Sequence, residues 1–227
     1  GLAVSVRKAV QESGISAEEV SALTVDTTCC SVVALDESGD PLRPALIWMD
    51  VRSDKQAVQV AECEDPALLV NGNGKGPVSA EWMIPKALWL KQNEVEIFCK
   101  AVTICEYQDY LNFHLTGRLV SSINNVSTRW HFDFSEDKVG SKKSVPNSLL
   151  EKLDLNDLAE KWPLEVIRLG EVIGELTSEA AEHLGLPVGI PVVQGGADAQ
   201  IGMIGLGVVK PGSLALITGS SHLQLGL

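Results

Sequence analysis

The sequence has 227 residues, 45% hydrophobic and 21% charged, a globular balance with ample material for a core. The net charge is −12, and no cationic run is longer than Lys142-Lys143, which argues against a nucleic-acid partner. No apolar run reaches the length of a membrane span and no signal peptide is evident, so no membrane partner is expected.

Five cysteines, Cys29, Cys30, Cys63, Cys99 and Cys105, are odd in number and lack C-x-x-C spacing. That speaks against a disulfide framework and against a zinc site. The four histidines are scattered, which points the same way. The expectation is reduced thiols in a cytoplasmic protein. Residue 1 is Gly at the start of a helix and Leu227 falls in an apolar, strand-like segment, so the sequence is expected to be a piece of a longer chain.

Residues 1–13 read as a helix with Val4, Val6, Ala9 and Val10 on its apolar face, ended by Gly14. Ser16 starts a second turn that leads into a strand over 21–26. A strand over 30–35, a turn at 36–41 and a strand over 45–49 follow. This density suggests a mixed or antiparallel sheet edge. The middle reads as helices over 52–62 and 85–92, with Pro85 near its first turn and a loop at 71–77 between them. A strand over 102–105 precedes a helix over 107–115 closed by Gly117. Residues 132–145 read as a polar surface excursion. Helices near 147–160 and 177–184 come next, then a strand over 190–194, a helix over 198–206, a turn at 210–212 and a strand over 213–218. The order of elements is α/β throughout.

The most informative stretch is Gly195 to Gly205. An apolar run, Ile190 to Val193, reads as a buried strand, two glycines turn the backbone, and Asp198 opens a helix of small residues. A carboxylate there sits where open α/β sheets bind ligands. It can take a proton from a hydroxyl during phosphoryl transfer. It can also simply cap the helix.

Other segments are double-edged in the same way. Gly219, Ser220 and Ser221, after Thr218, make a phosphate cradle of amides and hydroxyls or an ordinary hairpin turn. Asp26 to Cys30 suits a polyol, or fills a strand interior. Cys29 and Cys30 have no histidine near them in sequence to activate a thiol. Glu81 lies in S-A-E-W-M-I-P-K, a helix-start signal in which Trp82, Ile84, Leu88 and Trp89 would be core, and it could face a cleft and accept sugar hydroxyls. Arg129, after an N-S-T loop, is a surface charge or a ligand for a carbonyl or hydroxyl oxygen.

Together these pieces resemble the FGGY carbohydrate kinases, and within them the ribulokinase-like, pentulose-kinase branch. The matching segments are V-D-T-T-C-C at 25–30, I-W-M-D-V-R at 47–52, S-A-E-W-M-I-P-K at 79–86, Y-Q-D-Y-L-N-F-H-L-T-G at 107–117, G-G-A-D-A at 195–199 and T-G-S-S at 218–221. They occur in family order across nearly the whole sequence. The resemblance implies an incomplete actin-like, ribonuclease-H-like α/β fold with two domains closing on a cleft. Residues 1–206 would be part of the N-terminal, sugar-binding domain and 207–227 the start of the C-terminal, ATP-binding domain. It implies ATP-dependent phosphorylation of a ribulose- or xylulose-type ketopentose at its terminal hydroxyl, with Mg²⁺ offsetting phosphate charge. Asp198 matches the catalytic base. Cys29, Glu81, Arg129 and Asp198 match sugar-binding positions, and Gly219, Ser220 and Ser221 the second phosphate-binding turn. The partner expected is a small-molecule sugar, with a homodimer as the assembly of the full-length protein.

Two departures stand out. The family's D-x-G-T hairpin would lie upstream of residue 1, and the adenosine-binding half downstream of residue 227. The isolated chain is therefore expected to be inactive, and a truncated, non-catalytic sugar-binding or interaction module is the alternative. Arg129 stands where the branch more often carries Lys, and a planar fork contacts oxygen differently from an ammonium.

Overall fold

The computed structural model describes residues 1–70, 78–134, 144–163, 165–218 and 222–226. Helix α1 spans Leu2–Ser13 and stops at Gly14 in the left-handed conformation, φ 73°, which costs glycine little. Its inward residues are Ala3, Val6 and Val10, while Val4 and Ala9 face outward. The i, i+3, i+7 stripe is thus set one residue differently from the expectation.

After a 3₁₀ turn at Ala17–Glu19, capped by Ser16 with Glu19 closing a capping box, comes strand β1, Leu23–Thr24. Strand β2 is Val32–Leu35, all four residues buried. The strand expected over 45–49 is absent; Leu46 makes one isolated bridge to Val32. Helix α2 spans Asp54–Glu62, and a 3₁₀ turn at Pro66–Leu69 follows. Helix α3, Met83–Asn93, buries Met83, Ile84, Lys86, Ala87, Leu88 and Leu90. Trp82 and Trp89 are only half-buried; Trp89 packs against the core as expected, whereas Trp82 lines the cleft instead.

Helix α4, Val95–Lys100, strand β3, Thr103–Glu106, and helix α5, Tyr107–Thr116, come next. Gly117 closes α5 at φ 71°. Strand β4 is Ser121–Ser122, and helix α6, Ile123–Arg129, occupies what reads as a loop in sequence. The helix expected near 147–160 is two short ones, α7 at Asn147–Lys152 and α8 at Leu158–Lys161. Between them Asp154 takes a positive φ of 52°, a left-handed break no continuous helix tolerates. Phe132 and Val145 are buried, so the ends of the expected surface excursion belong to the core.

Strands β5, Val166–Ile167, and β6, Val172–Glu175, lead to helix α9, Ser178–Leu184. Strand β7, Pro191–Val193, helix α10, Asp198–Gly205, and the hairpin β8, Leu214–Thr218, with β9, His222–Gly226, end the described chain. One three-stranded sheet has the order β1-β7-β6, with β1 parallel and β6 antiparallel to β7. Strands β2 and β3 pair antiparallel, as β8 and β9 do.

Two apolar clusters hold most of these layers, and a third, small one joins Val33 and Leu35 of β2 to Cys105 of β3. The larger joins α3, β2 and β3 to Trp130, Phe132 and Trp162. The smaller packs α1, α5 and α9 around Val192 of β7.

Candidate functional site

The site forms because β1 and β7 run parallel. Leu23 pairs with Val192 and Thr24 with Val193, and Thr27 still bridges Ala197 beyond the strands. Parallel strands end on the same side, so the loop after β1 and the turn after β7 open into one crevice. The Asp198 amide donates to Thr27 O at 3.0 Å, which fixes where α10 begins.

The two glycines before Asp198 permit this crossing. A Cβ on Gly195 would lie 2.1 Å from Val25 O, and one on Gly196 would lie 2.7 Å from Asn124 Oδ1. The turn is also tied from α6 and its approach. Ser122 Oγ donates to Gly195 O at 2.8 Å, and the Ala197 amide donates to Asn124 Oδ1 at 2.9 Å.

A cleft of about 680 Å³ lies over these ends. Cys29, Glu81, Arg129 and Asp198 all line it, together with Trp48, Trp82 and Thr218. Four residues read from separate segments therefore face one space. Asp198 is exposed and is the first residue of α10, the cap position falling on Ala197. Its Oδ1 accepts from the Ala199 amide at 2.7 Å. The carboxylate thus braces the first turn and still faces the cleft. Gly219, Ser220 and Ser221 lie outside the described residues.

Arg129 ends α6, and its guanidinium sits 5.1 Å from the centroid of the Trp82 ring, a cation–π contact that orients the fork. Behind Trp82 is His131, at 5.6 Å between ring centroids. Burial lowers the His131 pKa to about 4, so the imidazole is neutral at pH 7.

Cys29 is held by a chain of buried amides. Its thiol donates to Asn125 Oδ1 at 3.4 Å, Asn125 Nδ2 donates to Gln108 Oε1 at 2.8 Å, and Gln108 Nε2 donates to Val25 O at 2.6 Å. Burial, then the Glu106 charge, push both the Cys29 and Cys30 thiols well up. Cys29 is therefore a protonated donor, not a thiolate nucleophile. Gln108 and Asn125 escape sequence reading because isolated amides in helices carry no periodic signal.

All five cysteines are free. Among the described residues no group of three His, Cys, Asp or Glu could hold a metal ion, and no helix is long and apolar enough to cross a membrane. Asp198 and Thr218 both line the cleft, and such a lining would suit a phosphate-bound cation rather than one held by protein ligands alone.

The profile of the FGGY family of carbohydrate kinases, N-terminal domain, matches residues 2–205. A ribulokinase of Geobacillus thermodenitrificans is 31% identical over 245 residues, covering 99% of this chain and 42% of that protein. An autoinducer-2 kinase of Salmonella choleraesuis is 29% identical over 222 residues, covering 97% of this chain and 40% of its own length. A crystal structure titled xyloylose kinase, from Brucella ovis, superimposes with a TM-score of 0.76 at 25% identity, over 97% of this chain and 42% of that one. This chain thus spans about two fifths of the length of the relatives it matches, and its fold is the corresponding part of their actin-like α/β fold. The matching profile and the shared fold place this chain in the FGGY family of carbohydrate kinases.

Proposed function

We propose that this chain forms the sugar-binding side of an ATP-dependent ketopentose kinase, with Asp198 as general base. In this reading residues 1–206 belong to the sugar-binding domain and 207–227 begin the ATP-binding domain. The convergence of Cys29, Glu81, Arg129 and Asp198 on one cleft supports it. Glu81 accepts from sugar hydroxyls, Arg129 donates from its stacked fork, and the Cys29 thiol bounds the floor. Asp198 accepts the proton of the terminal hydroxyl as its oxygen attacks. MgATP, when bound, supplies the phosphoryl group and the counter-charge. Thr218 lies on the cleft wall at the start of the turn that would receive its phosphates. The isolated chain, in this reading, binds sugar but does not phosphorylate it. The five free thiols fit a cytoplasmic enzyme.

The test is a coupled ADP-release assay on the natural protein carrying this sequence. D- and L-ribulose, D- and L-xylulose, glycerol and an acyclic dihydroxypentanedione are offered with MgATP. Turnover of a ketopentose at a kcat/KM at least about tenfold above the other compounds supports the reading. Preference for the dione or for glycerol overturns the substrate, and turnover of none supports a non-catalytic module.

A further inference from the structure

Behind the cleft, Cys30 adopts a left-handed backbone, φ 69°, which a side chain with a Cβ adopts only when its surroundings impose it. Two buried side chains from different elements grip this one residue. The Cys30 amide donates to Glu106 Oε1 at 3.0 Å, and the same oxygen accepts from Trp130 Nε1 at 2.9 Å. Lys86 Nζ donates to Cys30 O at 2.7 Å. The ammonium also donates to Ile47 O at 2.7 Å and Trp48 O at 3.4 Å.

Lys86 and Glu106 are both 0% exposed. Burying an ammonium is costly unless its protons are taken, and here three backbone carbonyls take them. Those carbonyls belong to two separate loops that line the cleft through Cys29, Cys30 and Trp48. A Leu or Met at position 86 would fill the same core space without joining the loops. The lysine is therefore not required by packing alone.

We propose that Lys86 and Glu106 are positioning residues that clamp Cys30 at its carbonyl and its amide, and so fix the Cys29 and Trp48 walls of the cleft. The clamp rests on geometry alone, while its consequence for sugar binding rests on the kinase reading above. The clamp acts on ground-state fit, not on the reacting atoms, so its loss raises KM more than it lowers kcat.

The test uses Lys86→Met in the natural protein carrying this sequence. Labelling of Cys30 by iodoacetamide is followed by peptide mass. The Lys86 charge lowers the Cys30 thiol pKa, so losing that charge alone would slow labelling. Release of the loop exposes a thiol now 4% exposed and speeds it, by about tenfold or more. The ketopentose KM should rise about tenfold with kcat within about threefold. Labelling that is unchanged or slower in folded Lys86→Met overturns the clamp. If that variant does not fold, amide exchange in the wild type decides. The Cys30 amide, bonded to a side chain outside any strand, should exchange at least about a hundredfold slower than an open loop amide, and rapid exchange overturns the clamp. Faster Cys30 labelling in a protein that turns over no ketopentose would uphold the clamp and sink the ketopentose reading instead.

Discussion

Asn125 Oδ1 accepts the Cys29 thiol proton at 3.4 Å while the same side chain donates to Gln108 Oε1 at 2.8 Å. Through Gln108, whose Nε2 donates to Val25 O, this buried amide ties Cys29 to the backbone just past β1. Replacing it by Ala leaves the Gln108 oxygen and the Cys29 thiol without partners. Asn125→Ala should lose on the order of 1–3 kcal/mol of stability, read from the urea midpoint at constant slope. A change below about 0.5 kcal/mol would mean that water replaces the amide without loss.

Asp198→Asn keeps the size and the acceptor oxygen that braces Ala199. In the kinase reading it removes the proton acceptor. In the natural protein turnover should fall by roughly 10²–10⁴-fold, while the sugar dissociation constant by calorimetry changes less than about threefold. Near-wild-type turnover would remove Asp198 from the mechanism.

Gly195 has no room for a methyl group, because its Cβ would lie 2.1 Å from the Val25 carbonyl oxygen, just past β1. Gly195→Ala must push β7 away from β1. The expected cost is about 1–3 kcal/mol of stability together with a lower kcat, since Asp198 follows three residues later. Gly205, with nothing within 4 Å, is the control. Gly205→Ala should be neutral or slightly stabilising in thermal melts, as Ala favours helix over Gly by about 0.5–1 kcal/mol.

Glu106 is fully buried, and desolvation raises its pKa from 4.5 to about 7 against the hydrogen bonds from Trp130 and Cys30 and the Lys86 charge. Asp109 beside it is pushed well up, by burial and then by the Glu106 charge. The folded pKa lies above the unfolded one. The proton therefore stabilises the fold fully below about pH 4.5, and that contribution is lost as pH rises to about 7. The loss is on the order of 3 kcal/mol. Glu106→Gln cannot ionise, so its stability relative to wild type should climb between pH 4.5 and 7 and level off above. A parallel pair of stability–pH curves would mean Glu106 does not titrate in that range.

Residue type and spacing alone singled out segments that meet at one cleft. Gly195 and Gly196 before Asp198 mark a sharp turn at a strand end, because only glycine fits where backbone meets backbone. The Gly14 and Gly117 helix stops were legible for the same local reason. Residue type also singled out Cys29, Glu81 and Arg129, but from separate stretches with no common signal. Local spacing misread 45–49, where one bridge replaces a strand, and 123–129, where polar residues form a helix, because tertiary partners outweigh weak propensity there.

Only the tertiary structure brought the four site residues to one cleft, through the parallel pairing of β1 with β7. It alone showed that Lys86, in α3, buries its ammonium against three loop carbonyls. Such contacts join residues dozens of positions apart, and no local pattern encodes a hydrogen bond whose two ends meet only when the chain folds.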